Sequence, residues 1–212
     1  MPNLSSHIQT FSVLDAPYAG SDMQLESIDG FYKLLVGGAT LDFVTGAWTA
    51  TVGPDIDDSV VFQKIDLYPL YDYTWEKRRQ MRFRLNSQIG NIPAGEFYFT
   101  TGDVYGSATG FGLVFTPTEI IARCGDGFDL TDLVLFTGLT PGDIYEHLYE
   151  FIFYPGNGVY VYADGVFIGS ITTHLPTGTS SAERLLDMLM YTPIAMEGAA
   201  FKFSRIQFSQ DK

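Results

Sequence analysis

Cysteine is almost missing from this chain. Cys124 stands alone among 212 residues, so neither an intrachain disulfide nor a cysteine-based zinc site can form. Basic residues are scarce too. Twelve Lys and Arg against 25 Asp and Glu leave a formal net charge of −13. Such a surface repels phosphate backbones and anionic headgroups, which argues against nucleic acid and membrane surfaces as partners. The three histidines, His7, His147 and His174, show neither a metal-ligand spacing nor a nucleophile–base spacing. No apolar run approaches the ~20 residues of a bilayer-spanning helix. The opening MPNLSSHIQTF has no basic n-region and no apolar h-region, which predicts synthesis in a cytoplasm without a secretory signal. Action outside the cell would then follow release by lysis.

Aromatic residues are abundant, with 17 Phe and 13 Tyr in a chain that is 46% apolar. A sizeable core is within reach, and disorder is not expected. The 22 Gly and 10 Pro are spread as turn punctuation and form no linker. The most telling stretch is Glu150 to Ile171, EFIFYPGNGVYVYADGVFIGSI. Period-two runs flank Gly156-Asn157-Gly158, and Asp164-Gly165 follows as a hairpin turn of type I′, whose central residues need positive φ. Pairing through that turn sets Ala163 beside Val166, Tyr162 beside Phe167 and Val161 beside Ile168. One face then carries Val159, Val161, Val166 and Ile168, the other Tyr160, Tyr162 and Phe167. A hairpin apolar on both faces is expected inside a layered all-β domain.

Further strands are predicted at 29–36, 41–45, 47–52, 59–67, 78–86, 95–101, 110–116, 119–124, 131–136 and 200–209, with turns at roughly ten-residue spacing. Segment 185–191 reads as a short helix behind the capping box Ser180–Glu183 or as a strand. The all-β surroundings favour the strand. Residues 1–27 are expected as an N-terminal arm or edge segment, and 28–212 as a single domain. The aromatic loop Tyr68–Trp75 either caps a sandwich end or offers Tyr71, Tyr73 and Trp75 as partner-binding anchors.

Three stretches resemble the concanavalin-A-like lectin/glucanase superfamily, in particular its laminin-G-like members. They are 81–115 (MRFRLNS, EFYFTTGD, GFGLVFT), HLYEFIFYPGNGVYVYADGVFIGSI and the closing FKFSRIQFS. These stretches make up about a third of the chain and lie between residues 81 and 209. It implies an antiparallel jelly-roll β-sandwich of two curved sheets. Its members include sugar binders, glycan hydrolases, adhesion modules and virus or phage surface proteins, and the fold does not choose among them.

Glycan hydrolysis needs two carboxyl groups facing one cleft, and the hydrolase branch carries them as Glu-x-Asp-x-(x)-Glu on a strand. That pattern is absent here. Asp55, Asp57 and Asp58 lie in a Gly-Pro loop. Asp126, Asp129 and Asp132 lie in GDGFDLTD. Glu146 and Glu150 share a strand face with Leu148 between them. His147, on a face with Tyr149, Phe151 and Phe153, reads as a hydrogen-bonded histidine at the core margin. Cys124 reads as a small packed residue. No full calcium ligand set is legible, although Asp103 or Asp126 would be the first ligands of an ion. No cofactor is expected.

Alternation also leaves a mixed face of Arg82, Arg84, Tyr98, Glu119, Arg123, Glu150, Tyr160 and Tyr162. Tyrosine rings with arginine and glutamate suit sugars, which present apolar faces and hydroxyl edges. The carbohydrate-binding candidates are therefore Arg82, Arg84, Tyr98, Arg123, Glu150, Tyr160 and Tyr162. The same set also fits an ordinary solvated face held by cross-strand pairs. Alternation assigns a face within each strand but not a sheet. The expected function is a non-enzymatic structural or binding module. An accessory virion protein (head decoration, fibre or tail component) with glycan contact is preferred over a free lectin, and over a hydrolase or lyase. Its partners would be other virion proteins or further copies in a homo-oligomer.

Overall fold

In the computed structural model, residues 9–10, 23–28, 31–44, 47–51, 59–65, 75–88, 97–102, 109–116, 118–139, 144–178, 184–191 and 200–210 are described. They form β1 (Gln9–Thr10), β2 (Met23–Ile28), β3 (Phe31–Val36), β4 (Thr40–Val44), β5 (Ala47–Thr51), β6 (Ser59–Ile65), β7 (Arg79–Gln88) and β8 (Phe97–Gly102). The chain continues through β9 (Thr109–Phe115), β10 (Glu119–Asp126), β11 (Leu130–Thr137), β12 (Ile144–Tyr154), β13 (Gly158–Ala163), β14 (Val166–Ile171), β15 (Arg184–Tyr191) and β16 (Ala200–Gln210).

Every strand pairing among the described residues is antiparallel. Sheet I runs β14-β13-β12-β7-β16-β5-β4, with β1 also on β16. Sheet II runs β11-β10-β9-β8-β15-β6-β3-β2. The fold is an all-β sandwich, and the described residues contain no helix. The strand reading of 185–191 is thus the correct one, since β15 lies between β6 and β8. Segment 1–27 supplies most of β2, the outermost strand of sheet II, and β1.

The core lies between the sheets, built by period-two alternation on each strand. Met81, Phe83 and Leu85 of β7 point inward with Tyr149, Phe151 and Phe153 of β12 and Val159 and Val161 of β13. They meet Phe111, Leu113 and Phe115 of β9 and Ile120, Ala122 and Cys124 of β10. Phe111 of sheet II stacks on Phe151 at 6.0 Å and Phe153 at 5.8 Å of sheet I. Each such ring, fully buried, contributes about 1.5–3 kcal/mol.

Cys124 is fully buried, with its Sγ 3.5 Å from the His174 carbonyl. Burial pushes its thiol up to about 12. At pH 8 its reaction with a disulfide reagent is expected to run at least about a hundredfold slower than in denaturant. Rapid labelling of the folded chain would contradict this burial.

The turns that shape the β12–β14 hairpins follow from local chemistry. Pro155 and Gly156 fill the central positions of the turn closed by Asn157 N–H to Tyr154 O at 3.0 Å, with Gly156 at φ 65°. This is the type II arrangement, in which the third residue needs positive φ. Asp164 and Gly165 have φ 50° and 80°, as type I′ demands. Ala163 pairs with Val166 and Tyr162 with Phe167, as expected. The next step corrects the sequence reading, because Val161 pairs with Gly169 and a register shift leaves Ile168 extra. The reason is space. A Cβ at Gly169 would stand 2.9 Å from a methyl of Leu133 on β11, so the bulge brings the residue without a side chain to where β14 closes against sheet II.

Candidate functional site

Five of the seven predicted carbohydrate-binding residues share one surface, the outer face of sheet I. Gln80, Arg82 and Arg84 of β7 alternate with buried Met81 and Phe83. On β12, Glu146, Leu148, Glu150, Ile152 and Tyr154 alternate with buried Tyr149, Phe151 and Phe153. On β13, Tyr160 and Tyr162 alternate with Val159 and Val161. Registers align Glu150 with both Arg82 and Tyr162, and Ile152 with both Gln80 and Tyr160.

The other two are not there. Tyr98 lies on β8 and Arg123 on β10, both in sheet II. Arg123 is held there by Asp132 through Nε at 2.7 Å and Nη2 at 2.9 Å. Nothing in the alternation of a strand says which sheet it joins, so the mixed face splits in two.

Trp75 is also corrected. It is 2% exposed, edge-on to Phe111 at 6.0 Å and to Phe153 at 5.7 Å. The Arg79 guanidinium lies 3.8 Å from its ring centroid. It caps the core and offers no ring to a partner. Tyr71 and Tyr73 lie outside the described residues.

Two aromatic rings were missed. Phe167 is 52% exposed and Tyr154 37% exposed. Tyr162 and Phe167 are 5.4 Å apart, Tyr160 and Phe167 6.3 Å, and Tyr154 and Tyr160 5.6 Å. Arg78 sits 5.4 Å from the Tyr154 centroid. The Asp164-Gly165 register already placed Phe167 beside Tyr162. What hid it was the expectation that both faces of the hairpin are covered. Val166, 63% exposed at the turn, shows the same correction.

Polar groups border the rings. Gln80 Nε2 donates to Glu150 Oε1, and Arg84 Nη1 meets Glu146 at 3.2 Å with both side chains over 40% exposed. That exposed ion pair contributes at most about 1 kcal/mol. At the hairpin tip, Asp164 accepts the Leu148 N–H at 2.9 Å and lies 2.7 Å from His147 Nδ1. The Leu148 amide, first of all, and then His147 hold the Asp164 carboxyl below its usual range. His147 stacks on Phe136 of β11 at 4.9 Å, matching its expected place at the core margin.

Among the described residues, no hydroxyl or thiol joins His147 and Asp164 as a third catalytic member. No group of three or more His, Cys, Asp or Glu there could hold a metal ion. Asp103 lies outside the described residues. Asp126 caps its own turn, accepting the Phe128 and Asp129 N–H groups at 2.9 Å. Those amides hold its carboxyl below the usual value.

No family model and no curated protein matches the sequence. Solved structures do share the fold. A protein of unknown function from Shewanella oneidensis MR-1 aligns over 87% of this chain and 80% of its own at TM-score 0.57 and 14% identity. The carbohydrate esterase of the Shiga toxin-encoding bacteriophage phi24B aligns over 86% and 91% at TM-score 0.55 and 15% identity. The receptor-binding domain of botulinum neurotoxin D aligns over 97% of this chain and 44% of its own at TM-score 0.54 and 10% identity. This chain thus spans less than half of that toxin domain. At these identities the likeness establishes the all-β fold and nothing finer.

Proposed function

We propose that the chain is a non-enzymatic binding module of concanavalin-A-like, jelly-roll type that takes up glycan on the outer face of sheet I. The observation that carries this is the row of partly exposed rings Tyr154, Tyr160, Tyr162 and Phe167 beside the Gln80–Glu150 pair. Rings supply an apolar platform for the C–H face of a sugar, and the amide and carboxylate meet its hydroxyls. Its setting is an accessory virion protein acting as a symmetric oligomer. The phage esterase of similar fold and the receptor-binding role of the toxin domain support that reading. The esterase raises catalysis as a second reading, and the 2.7 Å His147–Asp164 contact is the feature that would serve it.

A glycan array probed with the full chain is expected to show discrete hits. Tyr162→Ala is expected to weaken those hits at least about tenfold while leaving the melting curve nearly unchanged. An empty array, or hits indifferent to Tyr162, would remove the proposal. Turnover of polysaccharide or acetyl-ester substrates, lost in His147→Ala, would replace it with the esterase reading.

A further inference from the structure

Arg82 is an exposed cation on the candidate face, and among the described residues it makes no hydrogen bond, ion pair or ring contact. In a chain of net charge −13 an unclaimed guanidinium is out of keeping. Its register neighbour on β12 is Glu150, the partner that charge alone would assign. Yet Glu150 accepts from Gln80 instead. Arg84, two residues further along the same face, is already tied to Glu146. The planar fork of Arg82, with five N–H donors, is left open to solution.

The row Phe167, Tyr162, Glu150, Arg82 crosses β14, β13, β12 and β7 in register. With adjacent strands ~4.8 Å apart, Tyr162 and Arg82 are separated by about 10 Å, a span that a disaccharide covers. From this we infer that the face selects an anionic glycan carrying a carboxylate, a uronic or sialic acid unit. One ring rests on Tyr162 and Phe167, and the carboxylate sits in the Arg82 fork. The inference rests on the glycan-binding reading and adds the chemical class. A guanidinium meets a planar carboxylate through two parallel hydrogen bonds, which a neutral hydroxyl cannot match. Glu150 accepts sugar hydroxyls between the two anchors, and its charge opposes the incoming carboxylate.

The test titrates the full chain with 3′-sialyllactose against lactose, and with trigalacturonic acid against its carboxyl-reduced form. In 50 mM salt at least one acid is expected to bind at least about tenfold more tightly than its neutral counterpart. The ratio should fall to near one in Arg82→Ala, recover in part in Arg82→Lys, and rise in Glu150→Gln. The acid that shows the preference identifies the source of the carboxylate. Equal binding of acid and neutral forms, or a ratio unmoved by Arg82→Ala in a variant that melts like the parent, overturns the inference and leaves glycan binding standing. No binding of any of the four sugars overturns the inference, and an empty glycan array overturns the glycan reading with it.

Discussion

Trp75→Ala is expected to lower the unfolding free energy by about 3–5 kcal/mol, a large share of the stability of a domain of this size. The ring touches both layers at once, through Phe111 of β9 and Phe153 of β12. Removing it leaves a void that two antiparallel sheets cannot fill by small shifts. It also strips the cation–π contact from Arg79, which is 6% exposed. Urea unfolding reads the effect, and the melting temperature should drop by roughly 6–20 °C at 2–4 °C per kcal/mol. Trp75→Phe is the informative companion. The indole Nε1 is buried with no hydrogen-bond partner among the described residues, so phenylalanine keeps most of the packing and removes an unsatisfied donor. Its loss should be far smaller. An alanine variant within about 1 kcal/mol of the parent would show that the ring is not where it is described.

Gly158→Ala is expected to have the second effect, about 1–3 kcal/mol, although it adds a single methyl. A Cβ at this position would stand 2.8 Å from the Ile171 carbonyl oxygen and 3.4 Å from Thr172 Cγ2. Backbone is the obstacle, so relief requires β14 to move away from β13. Phe167 would move with it and part from Tyr162, so glycan hits should weaken as stability falls. Gly169→Ala separates crowding by backbone from crowding by side chain. Its new methyl meets only the end of the Leu133 side chain, which can rotate, and it should cost under about 1 kcal/mol. Equal losses in the two variants would show that β14 yields freely and would undercut the geometry of the patch.

Much of this could be read from residue order alone, and the failures have identifiable causes. Alternation placed Met81, Phe83 and Leu85 opposite Arg82 and Arg84, and Phe151 and Phe153 opposite Glu150, because each side of a strand repeats every second residue. Asp164-Gly165 placed Tyr162 beside Phe167 for a local reason, two consecutive positive φ values. Sheet membership is not local. β7 lies between β12 and β16, while β8 lies between β9 and β15, and no feature within RFR or FYF distinguishes those settings. Hence alternation alone groups Tyr98 and Arg123 with residues of the opposite sheet. Trp75 shows the same limit: an aromatic residue on a loop fits a partner's pocket and the protein's own core equally well until the neighbouring turns are known. β2, MQLESI, falls almost wholly within the segment expected as an arm or edge, and its mixed polarity gives no strand signal of its own.

The position of β16 has a further consequence. This strand, 200–210, pairs with β1, β5 and β7 near the middle of sheet I, although it is the last described strand in the chain. On a ribosome the β12–β14 hairpins are free to form early, since their partners are adjacent. The early strands β4 and β5 pair with each other but, by contrast, reach the rest of sheet I only through residues 200–203 of β16. Nascent chains would therefore hold β4 and β5 apart from the rest of sheet I until β16 emerges, with the β12–β14 hairpins assembled before that seam closes.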